Sequence, residues 1–312
     1  MENVIVTGCA GFIGSHMVDD LISKGIMVVG IDNLKTGNLK NLDLAMKKSN
    51  FKFIEGDLLD ENFCKTNLKN CEVVYHFAAN ADVRYGTQHP RRDFEQNTMV
   101  TINVLESMRV NDINKIIFSS TGSIYGEAKL FPTREFSEIP IQTSLYGASK
   151  MSCENFIQAY VESFDFQAWI FRFVSIIGPR YSHGHIIDFV DKLREDSSVL
   201  NVLGNGLQKK SYLHVFDCIR GIQNAISKSS RSVNIFNLGS KENITVRDSI
   251  SYIVKELGVN PTINFGESDK GWIGDNPIID LDISLMQEFG WNPRFSIKEG
   301  IIGTVQDILN RQ

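Results

Sequence analysis

The 312-residue chain has no uninterrupted apolar run near the ~20 residues a membrane-spanning helix needs, which predicts no membrane span. Basic excess is also missing: 32 Lys and Arg against 37 Asp and Glu leave a formal net charge of −5. That argues against a nucleic-acid binder, because neutralising phosphates needs a basic face. A local basic pocket for a small phosphorylated ligand stays open. There is no CxxC pair, and the five cysteines (Cys9, Cys64, Cys71, Cys153, Cys218) are scattered and odd in number. This pattern predicts reduced thiols in a cytoplasmic protein, most of them small core residues. The opening MENVIVTG has an acid at position 2 and runs straight into a strand pattern, unlike a signal peptide. Repeats and low-complexity tracts are lacking, and seven prolines build no linker.

What is present is a soluble globular composition, 42% hydrophobic and 22% charged. The length allows one large domain or two closely joined ones. In the first half, short apolar runs alternate with longer amphipathic stretches. NVIVTG, IMVVGID, FKFIEGD, CEVVYHFAA, INKIIFSS and AWIFRF read as strands rich in β-branched residues without strict alternation. Such strands suit a parallel sheet covered on both faces. The stretch from Phe94 to Val110 reads as a helix, with Val100, Val104, Leu105 and Met108 on one face. The alternation predicts an α/β fold, a doubly wound parallel sheet. Residues 1–172 form the expected nucleotide-binding domain, and 173–312 a mainly substrate-binding part. Within the latter, 213–239 is expected to return to the main sheet, because VNIFNLGS again reads as a buried strand.

VIVTGCAGFIGSH sets Gly8, Gly11 and Gly14 directly after the first strand and at the start of a helix. Glycines there permit a tight turn and let backbone N–H groups and the helix N-terminus face a pyrophosphate. Asp32 follows 18 residues after Gly14, at the end of the second strand. A carboxylate at that place accepts ribose hydroxyls and repels a 2′-phosphate, which predicts NAD rather than NADP. EGDLLD places Asp57 and Leu58 where an adenine edge would lie, although an aspartate there also serves as an ordinary strand-end cap.

Tyr146 and Lys150 in LYGASK stand four apart, on one face of a helix. Lowering a phenol pKa from ~10 to ~7 takes about 4 kcal/mol. One ammonium ~4 Å away contributes on that order at an effective dielectric near 20. Tyr146 beside Lys150 and an oxidised nicotinamide is therefore expected to become a base for a sugar hydroxyl. SSTGSIYG, residues 119–126, adds a shelf of hydroxyls after an apolar strand.

The set TGCAGFIG, DNLKTGNLKNL, HFAA, SSTGSIYG and YGASK resembles the extended short-chain dehydrogenase/reductase family, nearest to its nucleotide-sugar epimerases. The resemblance covers nearly the whole chain and is most specific in residues 1–180. It implies that Gly8, Gly11, Phe12, Ile13 and Gly14 hold the NAD pyrophosphate, and that Asp32 and Asn33 hold the adenosine ribose. Asp57 and Leu58 would meet the adenine; Phe77, Ala78, Ala79 and Ser119 would lie along the cofactor. Thr121 stands for the family's catalytic Ser/Thr, Tyr146 for its base, and Lys150 for the lysine on the nicotinamide ribose. Family 4,6-dehydratases carry Asp-Glu after that Thr, because expelling a C6 hydroxyl needs an acid and a base; here Gly122 and Ser123 stand there. The missing carboxylates imply chemistry at C4 alone.

The substrate half matches less closely. Ser175 replaces the family's usual Asn. Lys210, two residues after Gln208, replaces an Arg that holds a substrate phosphate, keeping the charge and losing the bidentate fork. Thr121, Ser123, Tyr146, Ser175, Gln208 and Lys210 are the expected substrate contacts, with Arg84 and Arg180 as further phosphate or carboxylate partners. His183 and His185 have no third ligand nearby, so they read as solvated loop histidines and no metal is expected. The expected activity is NAD-dependent inversion of C4 in a UDP-linked hexose of the glucose/galactose type, carried out by a homodimer. Alternatives are a UDP-uronate 4-epimerase, another NAD-dependent nucleotide-sugar oxidoreductase, and a non-catalytic NAD-binding regulator.

Overall fold

The computed structural model describes residues 3–138, 141–271 and 278–311, the side chains of Arg84 and Tyr85 excepted. Six strands follow one another in the first half: β1 (Asn3–Thr7), β2 (Met27–Asp32), β3 (Phe51–Glu55), β4 (Val73–His76), β5 (Lys115–Thr121) and β6 (Gln167–Phe173). Later strands, β11 apart, have two to four residues: β7 (Ser175–Ile177), β8 (Val199–Val202), β9 (Lys209–Lys210), β10 (Tyr212–His214), β11 (Val233–Leu238), β12 (Ile244–Thr245), β13 (Thr262–Phe265) and β14 (Ile278–Ile279). The main sheet is parallel, in the order β11-β6-β5-β4-β1-β2-β3. All six strand readings of the first half coincide with its strands. β11 adds the seventh from the VNIFNLGS stretch, while β10 pairs with β7 in a small separate sheet.

Helices cover both faces. They are α1 (Phe12–Ser23), α2 (Glu61–Asn67), α3 (Val83–Gln88), α4 (Pro90–Asp93), α5 (Val100–Val110), α6 (Leu145–Phe164), α7 (His185–Glu195), α8 (Val215–Lys228) and α9 (Val246–Leu257), with two more near the C-terminus. Alternate residues of a strand point to opposite faces. Val4 and Val6 of β1 accordingly join one apolar cluster and Ile5 the other. The first cluster continues without a break into Ile186, Leu200, Ile250 and Val305, so both halves share one core. Among the described residues no helix is long and apolar enough to cross a membrane.

The helix expected from Phe94 differs in its first part. Phe94–Met99 is π-helical, and the α-helix begins at Val100. Every apolar position behind that expectation (Val100, Val104, Leu105, Met108) lies in the α-helical part, so the periodicity carried no information about the residues before it.

Candidate active site

At the nucleotide end, β1 runs into Gly8 with φ +67°, where a Cβ would meet the Ala78 nitrogen at 2.7 Å. Only glycine combines that backbone with that clearance. Gly14 packs directly on the Gly8 carbonyl. Helix α1 opens at Gly11 with no side-chain cap and no acid in its first turn, leaving N–H groups directed at the loop. Asp32 closes β2, nearly buried, its Oδ2 accepting the Ala10 N–H at 3.0 Å and its Oδ1 the Leu34 N–H at 2.8 Å. Burial raises its carboxyl above the usual range against those backbone bonds. A cavity brings together Gly8, Gly11, Asp32, Asn33, Asp57, Leu58, Phe77, Ala78 and Ala79. Asp57 is also salt-bridged to Lys35 at 2.7 Å, a cation at the cavity wall that the motif did not single out. The Phe12 ring turns away into the core against Tyr181, so only its backbone is left for a phosphate. Ile13 lies half-buried against the same apolar cluster. An anion-seeking helix end, a glycine cradle and a ribose-facing carboxylate fit an NAD-type dinucleotide.

At the chemical end, β5 delivers Ser119, Ser120 and Thr121 to its C-terminal edge. The Thr121 hydroxyl accepts the Ser123 N–H at 3.1 Å, capping the short turn Gly122–Tyr125, and donates to Ser123 Oγ at 3.2 Å. Ser144 caps α6, whose first turn presents Tyr146. The Tyr146 and Thr121 hydroxyls share a hydrogen bond. Lys150, one turn on, is buried; its ammonium donates to the Ser119 carbonyl at 2.8 Å and lies over the Phe118 ring at 4.7 Å. The protein's own groups do not supply the expected drop of the phenol. Burial pushes Tyr146 above its ordinary value, and Asp93 and Cys153 act in the same direction. Burial likewise lowers Lys150 to about 8. A dry pocket disfavours both charged forms, and the ammonium is spent on a carbonyl rather than on the phenol.

A second cavity adjoins the hydroxyl shelf and collects Ser123, Ser175, Gln208 and Lys210 with Asp82, Asp188 and Lys192. Gln208 is buried and its Oε1 has no partner among the described residues. Two expectations need correction. Arg180 does not line this cavity; its guanidinium pairs with Asp19 at 2.7 Å and its N–H donates to Asp307. His185 is no solvated loop residue. It opens α7, half-buried, bonded to Ser249 Oγ at 2.7 Å and packed on Phe189 and Tyr212. Burial lowers its imidazole to about 3, with Lys210 adding to the effect. The side chain of Arg84 lies outside the described residues.

Two groups of supporting residues carried no motif signal. Beneath the shelf, Glu154 accepts the Ser120 hydroxyl and a fork from Arg172, whose Nη1 also donates to Tyr125 Oη at 2.8 Å and the Glu135 carbonyl at 2.6 Å. Beside α6, Asn97 of the π-helical turn donates to Ser149 Oγ at 2.9 Å. π-Helical turns recur at functional sites. Glu154 was findable in principle, since it stands one helical turn after Lys150 on the same face.

A Rossmann-type sheet whose glycine turn and terminal carboxylate line one cavity, with a Tyr-Lys helix beside the hydroxyl shelf that borders a second, defines an NAD-dependent enzyme of sugar-nucleotide type. The model of the NAD dependent epimerase/dehydratase family matches residues 4–239, and the chain belongs to that family. A Methanocaldococcus jannaschii protein provisionally named UDP-glucose 4-epimerase is 35% identical, covering 98% of each chain. The crystal structure of a UDP-galactose 4-epimerase superposes with a TM-score of 0.89 at 32% identity over 98% of each chain. UDP-glucuronic acid 4-epimerase from Bacillus cereus, solved with UDP-glucuronic acid and NAD, gives 0.89 at 29% identity, covering 99% of this chain and 100% of that one.

Proposed function

We propose that the enzyme inverts C4 of a neutral, UDP-linked hexose, interconverting gluco and galacto forms through a 4-keto sugar. Tyr146 takes and returns the C4 hydroxyl proton, with Thr121 holding the phenol and the sugar oxygen in one hydrogen-bonded set. Lys150 orients the nicotinamide ribose from its place on the Ser119 carbonyl. NAD held by these residues would supply the hydride acceptor and donor for C4, and a positive charge that favours the phenolate. Gly8, Gly11, the start of α1 and Asp32 hold the dinucleotide; Ser123, Ser175, Gln208 and Lys210 hold the sugar nucleotide. Gly122 and Ser123 offer no acid–base pair for expelling the C6 hydroxyl.

The observation that carries the choice of a neutral sugar is the commitment of Arg180 to Asp19. A uronate needs a cation at its C6 carboxylate; Arg180 is engaged elsewhere, and of the two lysines on the cavity wall Lys210 is assigned to the substrate phosphate and Lys192 donates to the Asn201 carbonyl. Asp82, on the wall with Ser123, would moreover repel a second carboxylate. The same reading makes the enzyme a cytoplasmic homodimer that pairs along α5 and α6. UDP-glucose and UDP-glucuronate, incubated separately and followed by NMR, test the proposal. Inversion of UDP-glucose is expected, lost by orders of magnitude in Tyr146→Phe. Efficient inversion of the glucuronate alone overturns the substrate; loss of water from either sugar overturns the chemistry.

A further inference from the structure

The segment leaving β4 lines both cavities. Phe77, Ala78, Ala79 and Asn80 face the nucleotide side, and Ala81, Asp82 and Val83 the sugar side. Its anchor is Asp93, the last residue of α4, which is fully buried and lines neither cavity. Asp93 Oδ1 accepts the Asn80 side-chain amide at 2.7 Å. Its Oδ2 has no partner among the described residues and fills the space a Cβ on Gly86 would take. The segment therefore closes back onto the carboxyl with room for glycine alone. A buried carboxyl with one oxygen unpartnered costs stability, so packing does not account for it.

Asn80 passes the contact on. Its backbone N–H donates to Asn97 Oδ1 at 2.8 Å, Asn97 Nδ2 donates to Ser149 Oγ at 2.9 Å, and Ser149 Oγ donates to the Tyr146 carbonyl at 2.8 Å. Four side chains thus tie the seam between the cavities to the first turn of the helix that carries the proton acceptor.

We propose that Asp93 is a positioning residue which, through Asn80, Asn97 and Ser149, locks segment 77–83 against Tyr146, so that the keto sugar turns over without leaving. The proposal rests on the assignment of the two cavities to NAD and sugar made above. Inversion demands more of such a lock than oxidation does. The sugar must present its other face within one enclosure, and any loosening lets it escape oxidised while the cofactor stays reduced. The charge of Asp93 also bears on both Tyr146 and Lys150, which places the carboxyl close to the reacting groups.

Asp93→Ala, Asn80→Ala, their double variant and Asp93→Asn, compared with the unmodified enzyme, test it. The measurements are kcat and KM on an inverted nucleotide sugar, NAD affinity by titration, thermal midpoint, and the absorbance of reduced cofactor. Asp93→Ala is expected to lower kcat by about tenfold or more with sugar KM changed less than about threefold. Reduced cofactor should accumulate, and NAD should bind at least about threefold more weakly. Asn80→Ala should behave alike, and the double variant should lose no more than either single one, because both break one chain. Asp93→Asn, still able to accept from Asn80, should keep most of the rate. Unchanged kcat, no reduced cofactor, unaltered NAD affinity, or multiplied losses in the double variant would each overturn the proposal. If Asp93→Ala fails to fold, Asn80→Ala at its half-buried position decides the same question. An unmodified enzyme that inverts no sugar defeats the functional reading instead. The NAD titration then still decides for or against the lock.

Discussion

Lys150 shows what a single buried charge does to this molecule. Its pKa stands at about 8 because burial penalises the ammonium, whereas an unfolded lysine titrates near ~10.4. Between those values the unfolded chain binds more protons, so stability rises with pH across that window. The cost is fully present below about pH 8 and vanishes above about pH 10.4. Lys150→Met is therefore expected to stabilise the NAD-free protein at pH 7 by up to about 3 kcal/mol while abolishing turnover. Urea unfolding at pH 7 and at pH 10 checks it, and the gain should shrink at the higher pH. Asp32 supports a second expectation. NAD should raise the melting temperature and NADP should not, because a 2′-phosphate meets a buried carboxylate. In Asp32→Ser the preference should fall by about tenfold or more, read as the ratio of the two affinities. Tyr146, Lys150, Asp32 and the glycines were legible because each sits in a motif whose spacing is set by local geometry. Asp93, Asn97 and Arg172 were not. Their roles come from partners 13 to 52 residues distant, and spacing carries no trace of those.

At the scale of elements, the shelf strand β5, the catalytic helix α6 and strand β6 are joined by the Glu154–Arg172 pair. Arg172 Nη2 lies 2.6 Å from Glu154 Oε2, with side-chain exposures of 3% and 0%. Removing one partner of such a pair leaves an uncompensated buried charge, at about 3–5 kcal/mol. Arg172→Met is expected to destabilise by that amount. Glu154→Leu combined with Arg172→Met should recover much of the loss, a double-mutant result readable from denaturant midpoints. The strands were legible because parallel strands covered on both faces are continuous apolar runs. The π-helical turn Phe94–Met99 was not, since an extra residue in a helix leaves no mark on a pattern that begins after it.

At the scale of the molecule, the second half was least legible. Its strands are two to six residues long, too short for periodicity to speak, and Lys210, Gln208 and Ser175 reach one cavity only through tertiary packing. Its helices are another matter, and the surface of α5 and α6 carries the last prediction. The two helices lie side by side, with Tyr160 Oη donating to Glu106 at 3.0 Å and the Arg109 guanidinium 5.4 Å above the Phe164 ring. Phe156, Phe164 and Val110 are exposed by 43%, 46% and 45%, and Phe94 by 52% at the start of the same helical run. Scattered exposed apolar residues are ordinary, but several large ones on adjoining helices suit a self-complementary, two-fold interface. If the enzyme pairs there, Phe156→Asp places two like charges near the two-fold axis and strips them of water. That should weaken pairing by several kcal/mol, while the fold, in which Phe156 is half outside the core, survives. Light scattering should then give the mass of one chain for the variant and twice that for the unmodified protein, with far-ultraviolet circular dichroism unchanged. A single-chain mass for the unmodified protein, or an intact dimer in both Phe156→Asp and Phe164→Asp, removes these helices from the interface.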